Sequence, residues 1–501
     1  MTNKSTWKDY ILKPIHKYIQ TLQKSILGAQ LKLYHSTTSI NLNPKTNSTS
    51  TTNQTINFKQ LLKTHCHHLF GDQAYYTPPL GMLSGHVQTL CCAATNSSVT
   101  DKVHYERKII RVPDGGQIEI DFSPPGAFDN PKDPTPVLVL LHGLTGGSHE
   151  SYVRAMVSPI IQDLGWRVMV TNFRGCAGSK VTSPKLYHAG ATDDLRSSLF
   201  FLSHLIPAET HLHGIGFSLG ANILAKYLGE EKEASVLRTG VVLANPWDLY
   251  NGNLYLESSF IQRIYSRVLA FSLRSMFKRH KEFFLTANQT QSNDSSMKVD
   301  IDLLFSDPYQ TLYEFDTIVT RVLCGFPSTE HYYKTQSSAN VVSHVRVPLL
   351  GLNALDDVIA SSKGVPIHAT VDNPYLVLGL TKNGGHLGWF EGILFGSKRF
   401  ITRPVLEWFK TLNDHTDCSA PKDSLPQELS KVSIGGPMIK SITRPNEIGF
   451  QLIDIKSANE MECLGERVAR ETLKDAQSWE YLKLVLWDGG RSWRERKVKK
   501  D

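Results

Sequence analysis

Residues 211–228 read HLHGIGFSLGANILAKYL. An apolar run closes on Phe217, Ser218 stands between Gly216 and Gly220, and a helix-forming run follows. Glycine inside a strand or helix costs roughly 0.5–1 kcal/mol relative to alanine, so Gly214, Gly216 and Gly220 need a steric reason. Gly-x-Ser-x-Gly between a strand and a helix is the pattern of a nucleophile elbow. The bend is too sharp for side chains on either flank of the serine, and the two glycines remove them. Ser218 Oγ is then presented at a helix N-terminus, whose dipole favours developing negative charge.

Working outward, the runs VLVLLHG (137–143), RVMVTNFRG (167–175), GVVLANP (240–246), VPLLGLNA (347–354) and PYLVLGLTKNGG (374–385) are short, continuous and rich in Val, Ile and Leu. Strands buried on both faces of a parallel sheet have this composition. ESYVRAMVSPIIQDLG (150–165) and TDDLRSSLFFLSHL (192–205) are long enough for crossover helices. The alternation predicts a doubly wound, mostly parallel α/β sheet. About a hundred residues between Pro246 and Val347 interrupt the rhythm and hold aromatic-rich helical stretches, with the polar tract ANQTQSNDSSMK among them. A structureless loop of that length is improbable, so a helical lid over roughly 247–346 is expected.

A serine nucleophile needs a base, and the base needs a carboxylate to orient it. Behind an elbow of this kind they follow in the order Ser, Asp/Glu, His. His386 lies in NGGHLGW after the last strong strand. Asp356 and Asp357 follow the strand before it. Spacing from Pro348 favours Asp357, and a one-residue slip selects Asp356. The unselected carboxylate is expected to cap a turn. Donors for a tetrahedral oxyanion are expected from the Leu219 amide and from Leu144 in HGLTGGSHESY, with Thr145 as its neighbour. His142 reads as structural. The His188–Asp193 pair in HAGATD matches an acyltransferase spacing, but Asp193 reads more simply as a helix N-cap. Trp247, Tyr332, Tyr333, Trp389 and Phe390 are candidates for core or pocket wall.

The chain has 501 residues, 41% hydrophobic and 20% charged, with a formal charge of +7. It lacks a basic stripe with interleaved aromatics, so no nucleic-acid partner is expected. Seven scattered cysteines without a CxxC pair suggest neither a disulfide framework nor a zinc site, and fit a reducing, intracellular compartment. Sequons at Asn47, Asn53, Asn96, Asn288 and Asn293 lie mostly in Asn/Ser/Thr-rich stretches and do not argue for secretion. No run of eighteen apolar residues marks a transmembrane helix. Ile11, Ile15, Tyr18, Ile19, Leu22 and Ile26 share helical spacing among Lys8, Lys13, Lys17 and Lys24, an amphipathic pattern suited to a membrane surface or a targeting peptide. A disordered polar linker is expected after it. The predicted organisation is a basic segment and linker over 1–57, a catalytic domain over 58–412, and a polar extension over 413–501 with a basic end.

The motifs LHGLTGGSHESYVRAMV, TNFRGCAGS, GFSLGANIL, ANPWDL, NALDD and GGHLGWFEG, preceded by GHVQTL at 85–90, resemble the AB hydrolase 4 family over roughly residues 70–412. That family includes embryogenesis-associated hydrolases, membrane-bound phospholipases and yeast medium-chain fatty acid ethyl ester synthase/esterases. Val358 stands where many of its members have proline. The resemblance implies the α/β-hydrolase fold, a triad of Ser218, Asp356 or Asp357, and His386, and lipid-like ester substrates such as medium-chain esters or monoacylglycerols. The expected function is a serine carboxylester hydrolase, an esterase or lipase, without metal or cofactor. Two alternatives are an alcohol O-acyltransferase making ethyl esters and a catalytically silent lipid-binding protein. The expected place of action is the cytoplasm or the surface of a lipid droplet, the endoplasmic reticulum or mitochondria.

Overall fold

Val, Ile and Leu runs form the parallel heart of one eleven-stranded sheet in the computed structural model, which describes residues 18–45, 55–94, 101–290, 298–419 and 432–453. In chain order the strands are β1 (Lys32–His35), β2 (Glu106–Arg111), β3 (Gln117–Ser123), β4 (Val137–Leu141), β5 (Arg167–Asn172) and β6 (Leu212–Phe217). They continue as β7 (Thr239–Leu243), β8 (Leu349–Ala354), β9 (Leu376–Thr381), β10 (Ile439–Lys440) and β11 (Gly449–Ile453). Their spatial order is β10-β11-β2-β3-β5-β4-β6-β7-β8-β9-β1. The pairings from β5 through β9 are parallel and the outer ones antiparallel.

Both faces of the parallel strands are buried, as their unbroken apolar runs require. Along β4, Val137, Val139 and Leu141 join one core, while Leu138 and Leu140 join the other. Helices α1 (Gly85–Ala94), α2 (Ser151–Leu164), α3 (Thr192–Ser203) and α4 (Leu219–Glu231) follow in chain order. The first core takes Leu195 and Leu199 of α3 with Ile223 and Leu224 of α4, and the second takes Val153, Met156 and Val157 of α2. Gly165 ends α2 in the left-handed conformation at φ 67°, the ordinary way a helix releases its chain.

Between β7 and β8 the lid region holds α5 (Leu249–Leu256), α6 (Phe260–Arg279), α7 (Lys281–Thr290) and α8 (Thr329–Gln336), with shorter turns between the last two. Ser259 opens α6 by accepting from the Gln262 amide, and Lys278 and Arg279 sit in its last turn, where a helix favours cations. The polar tract expected there falls mostly on 291–297, outside the described residues. A final helix, α9 (Thr402–His415), packs on the second core through Trp408, Phe409 and Leu412.

The ordered domain is wider than residues 58–412. Strand β1 adds antiparallel to β9, and Asn41–Leu42 pair with Ile56–Asn57. Parts of the segment expected to be a linker are therefore structured, and 46–54 lie outside the described residues. At the far edge β11 pairs with β2, and Phe450 is fully buried against Phe200, Phe201 and His204. The polar extension supplies β10 and β11 at this edge, where β2 otherwise presents a row of unpaired amides and carbonyls. Residues 1–17 and the basic C-terminal end lie outside the described residues.

Phe450→Ala should lower unfolding free energy by about 3–5 kcal/mol, read from urea denaturation. A change within about 0.5 kcal/mol would show that β11 is only loosely attached.

Candidate active site

Strand β6 delivers Ser218 into a backbone conformation of φ 52°, ψ −116°, outside the regions an L-residue occupies without strain. A Cβ on Gly216 would lie 2.5 Å from the Gly220 oxygen, and one on Gly220 would lie 2.4 Å from the carbonyl oxygens of Leu141 and His142. These contacts supply the steric reason the glycines require. Ser218 N donates to Leu243 O at 2.9 Å, tying the bend to β7, and Ser218 O accepts from the amides of Ala221 and Asn222. Its side chain makes no capping bond to α4, so Oγ is left for the site.

His386 Nε2 lies 2.8 Å from Ser218 Oγ. His386 Nδ1 faces both oxygens of Asp357 at 2.9 and 3.1 Å. Nδ1–H donates to the carboxylate, which leaves Nε2 to accept from the serine hydroxyl. The Asp357 side chain is fully buried, and its Oδ1 also accepts from the amides of Ile359 and Ala360 at 2.8 Å each. Asp356 does other work. Its Oδ1 accepts from Gly385 N at 2.9 Å and its Oδ2 from Asn383 Nδ2 at 3.4 Å, so it holds the turn leading into His386. Burial pushes the Asp356 carboxyl up. The two adjacent carboxylates thus divide between the imidazole and the loop that carries it.

Helix α1 backs the same loop. Thr89 Oγ1 accepts from His386 N at 2.9 Å and donates to Gly85 O at 2.7 Å. A Cβ on Gly85 would sit 2.0 Å from the Asp356 carbonyl oxygen. GHVQTL therefore has a local mechanical reason that spacing alone did not reveal.

Gly143 N donates to the Tyr152 hydroxyl at 2.9 Å and Thr145 N to the Tyr187 hydroxyl at 3.0 Å. Among the described residues this leaves the Leu144 amide as the unengaged donor of that turn. The Leu219 amide opens α4, where a helix N–H has no partner within the helix. Both leucines border the cavity beside Ser218. His142 is buried, with Nδ1 2.7 Å from Gly143 O and Nε2 accepting from Phe173 N, and burial pushes it down to about 3. It stays neutral and structural.

Below that loop lies a buried charge network that sequence reasoning missed. Arg107 pairs with Asp121 at 2.5 Å and with Glu119. Asp121 accepts from Ser148 Oγ at 2.5 Å and from Asn172 Nδ2 at 2.8 Å. Burial works to raise the Asp121 carboxyl, but the Arg107 guanidinium outweighs it and holds it below the usual carboxylate range. The only signal in the sequence is the alternation of Glu119 and Asp121 with apolar residues along QIEIDFS (117–123), a stretch outside the predicted strand runs.

Ser218 opens into a cavity of about 110 Å³, walled by Leu256 of α5, Leu269 and Leu273 of α6, Leu312 and Ile359. Tyr332 and Tyr333 also border it, whereas Trp247, Trp389 and Phe390 belong to the cores. Asp193 lies in the first turn of α3, paired with Arg196 and Arg444 at 3.0 Å each, and Ala191 takes the N-cap place expected for it. No group of three or more His, Cys, Asp or Glu among the described residues is arranged to hold a metal ion.

A family profile for the alpha/beta hydrolase fold matches residues 136–314, which include Ser218 and the turn at Gly143–Thr145. Monoacylglycerol lipase of Saccharomyces cerevisiae is 31% identical over 380 residues, covering 69% of this chain and 82% of its own. This chain is an α/β-hydrolase. The hydrolase is also 29% identical to human phospholipase ABHD3, over 72% of this chain and 83% of that one. Medium-chain fatty acid ethyl ester synthase/esterase 2 of S. cerevisiae is 31% identical, over 56% of this chain and 63% of the relative. The hydrolase accordingly acts as a carboxylic ester hydrolase of the esterase or lipase type.

The two acids make different predictions. Asp357→Asn should lower kcat by about 10⁴-fold, because an amide favours the wrong imidazole tautomer. Asp356→Asn keeps an acceptor for Gly385 N and should cost far less. Steady-state kinetics on a soluble ester compares them, and the reverse order would move the assignment to Asp356.

Proposed function

We propose that Ser218, His386 and Asp357 form the triad of a lipid-directed serine esterase. The 2.8 Å approach of His386 Nε2 to Ser218 Oγ, with Asp357 behind the ring, carries this reading. His386 takes the serine proton as Oγ attacks the acyl carbonyl, and Asp357 stabilises the imidazolium that forms. The Leu144 and Leu219 amides receive the oxyanion; one such donor is worth on the order of 3 kcal/mol of barrier. His386 then protonates the departing alcohol. Water, deprotonated by the same imidazole, releases the acyl group and restores Ser218. No metal or cofactor takes part in these steps, since the serine carries the acyl group.

Substrates are esters whose acyl chain fills the leucine-walled cavity, with medium-chain esters and monoacylglycerols as the favoured class. The yeast relative named a synthase/esterase motivates an alcohol as the competing acyl acceptor. A fluorophosphonate should label the wild type, and Ser218→Ala should abolish labelling. Equal labelling of both would end the serine reading. With an acyl donor and ethanol together, free acid should exceed ethyl ester, and the opposite ratio would make acyl transfer the main activity.

Exposed apolar side chains on segments near the His386 loop support action at a lipid surface. Exposed Leu22 and Ile26 lie on the helix over 18–27, Leu83 and Leu90 around α1, and Leu394 and Phe395 beyond β9. Gln23 Nε2 donates to the oxygens of Pro78 and Gly392, Gly81 N to Leu394 O, and Asn383 Nδ2 to Leu83 O. These bonds hold the segments that carry Leu22, Leu83 and Leu394 together beside the turn that leads into His386. A patch of this kind is characteristic of a surface that meets lipid or protein. Among the described residues no helix is long and apolar enough to cross a membrane. Leu394→Asp with Phe395→Asp should weaken co-sedimentation with phosphatidylcholine vesicles and slow turnover of emulsified esters severalfold. Turnover of a water-soluble ester should hold, and a parallel loss on both substrates would count against interfacial binding.

A further inference from the structure

The lid wall of the cavity carries a polar group that neither the triad nor the oxyanion loop uses. One π-helical turn, Asp316–Thr320, interrupts the lid between the helical residues Leu312–Phe315 and Arg321–Leu323. Such turns are rare and frequently stand at functional sites. Its first and last residues both border the cavity. Asp316 is buried, and it accepts from Thr320 Oγ1 at 2.6 Å and from the Tyr333 hydroxyl at 2.7 Å. Both partners are neutral hydroxyls, and burial pushes the Asp316 carboxyl up to about 6.

Leu256, Leu269, Leu273, Leu312 and Ile359 give the wall its apolar stretch, and His188 and Asn253 are further polar residues on its border. A short relay ties Asp316 to the nucleophile's helix. Asn222 Nδ2 of α4 donates to Ala189 O at 2.8 Å, and Ala189 N donates to the Tyr332 hydroxyl at 3.0 Å. The Tyr332 ring lies 5.1 Å from that of Tyr333. The polar wall is thus held in register with the elbow.

An alkyl chain entering from Ser218 gains at each methylene it buries against the leucines. That gain is about fourfold in affinity per methylene, the equivalent of ~0.8 kcal/mol. It stops at Asp316. To pass, the chain would have to part the carboxyl from Thr320 and Tyr333 and leave a buried acceptor unpaired. We propose that Asp316, held by Thr320 and Tyr333, ends the apolar reach of the cavity and sets the longest acyl chain the hydrolase takes up efficiently. The inference rests on the reading that Ser218 is acylated from this cavity.

The test is a p-nitrophenyl ester series from butanoate to hexadecanoate on the full-length protein. Wild-type kcat/KM rises with chain length and then levels. In Asp316→Leu/Tyr333→Phe, which replaces the carboxyl and one of its two hydroxyl partners, the rise should continue past the wild-type break by about fourfold per added methylene. Asp316→Asn, which preserves size and acceptor, should keep the wild-type break. Thr320→Val removes one hydroxyl from the same wall at nearly constant volume. It should shift the break in the same direction, and it decides the matter if the double variant does not fold. Profiles that stay parallel to wild type, scaled by one factor at all lengths, would reduce Asp316 to a structural role. A wild type that neither hydrolyses any ester nor takes the fluorophosphonate would instead overturn the acyl-serine reading.

Discussion

A bend with almost no room in it governs this molecule. Ser218 sits at φ 52°, ψ −116°, a conformation that costs of order 1–3 kcal/mol and persists only where the surroundings over-determine it. The surroundings are the ends of β4 and β7 and the first turn of α4. Gly220 lies against the Leu141 and His142 carbonyls, and the Ser218 amide is taken by Leu243. The sheet therefore pins the nucleophile from three directions. The strain needs no compensation within the loop itself, because the surrounding strands are buried on both faces.

Everything else in the site is an arrangement for bringing other groups to that point. The imidazole arrives on a turn between β9 and the α9 region, fastened by Asp356 from one side and by Thr89 from the other. The loop proposed to receive the oxyanion is fastened by the Tyr152 and Tyr187 hydroxyls and, through Ser148, by the Arg107–Asp121 pair. In both cases side chains accept from backbone amides and so fix where those amides lie. Breaking one partner of a buried pair such as Arg107–Asp121 leaves an uncompensated charge, so positioning and stability are coupled there.

How much of this the sequence revealed follows from the range of each interaction. The elbow, the strand runs and the chain order of Ser, Asp and His depend on neighbouring residues and on a fixed topology, so GFSLG, NALDD and GGHLG are legible. The choice between Asp356 and Asp357 was not, since one residue of register turns a side chain to the other side of a strand end. The support from Gly85 and Thr89 spans some three hundred positions and has no local signature. Aromatic identity likewise said little: Tyr332 and Tyr333 reached the cavity, while Trp389 and Phe390 went to the core. The domain limits were drawn too narrow because β1 and β11 are short strands in polar surroundings, recognisable only from the edges they complete.

Those two short strands have a consequence beyond their own stability. An open sheet with a bare edge is a template on which another copy of the same chain can continue the ladder. Here each border is occupied by a segment recruited from outside the residues that carry the chemistry, β1 beside β9 and β11 beside β2. The sheet thus ends on the two-residue β10 and the four-residue β1, which offer far less ladder to a second copy than the six-residue β2 and β9 that a fragment cut to the reactive residues would lay bare.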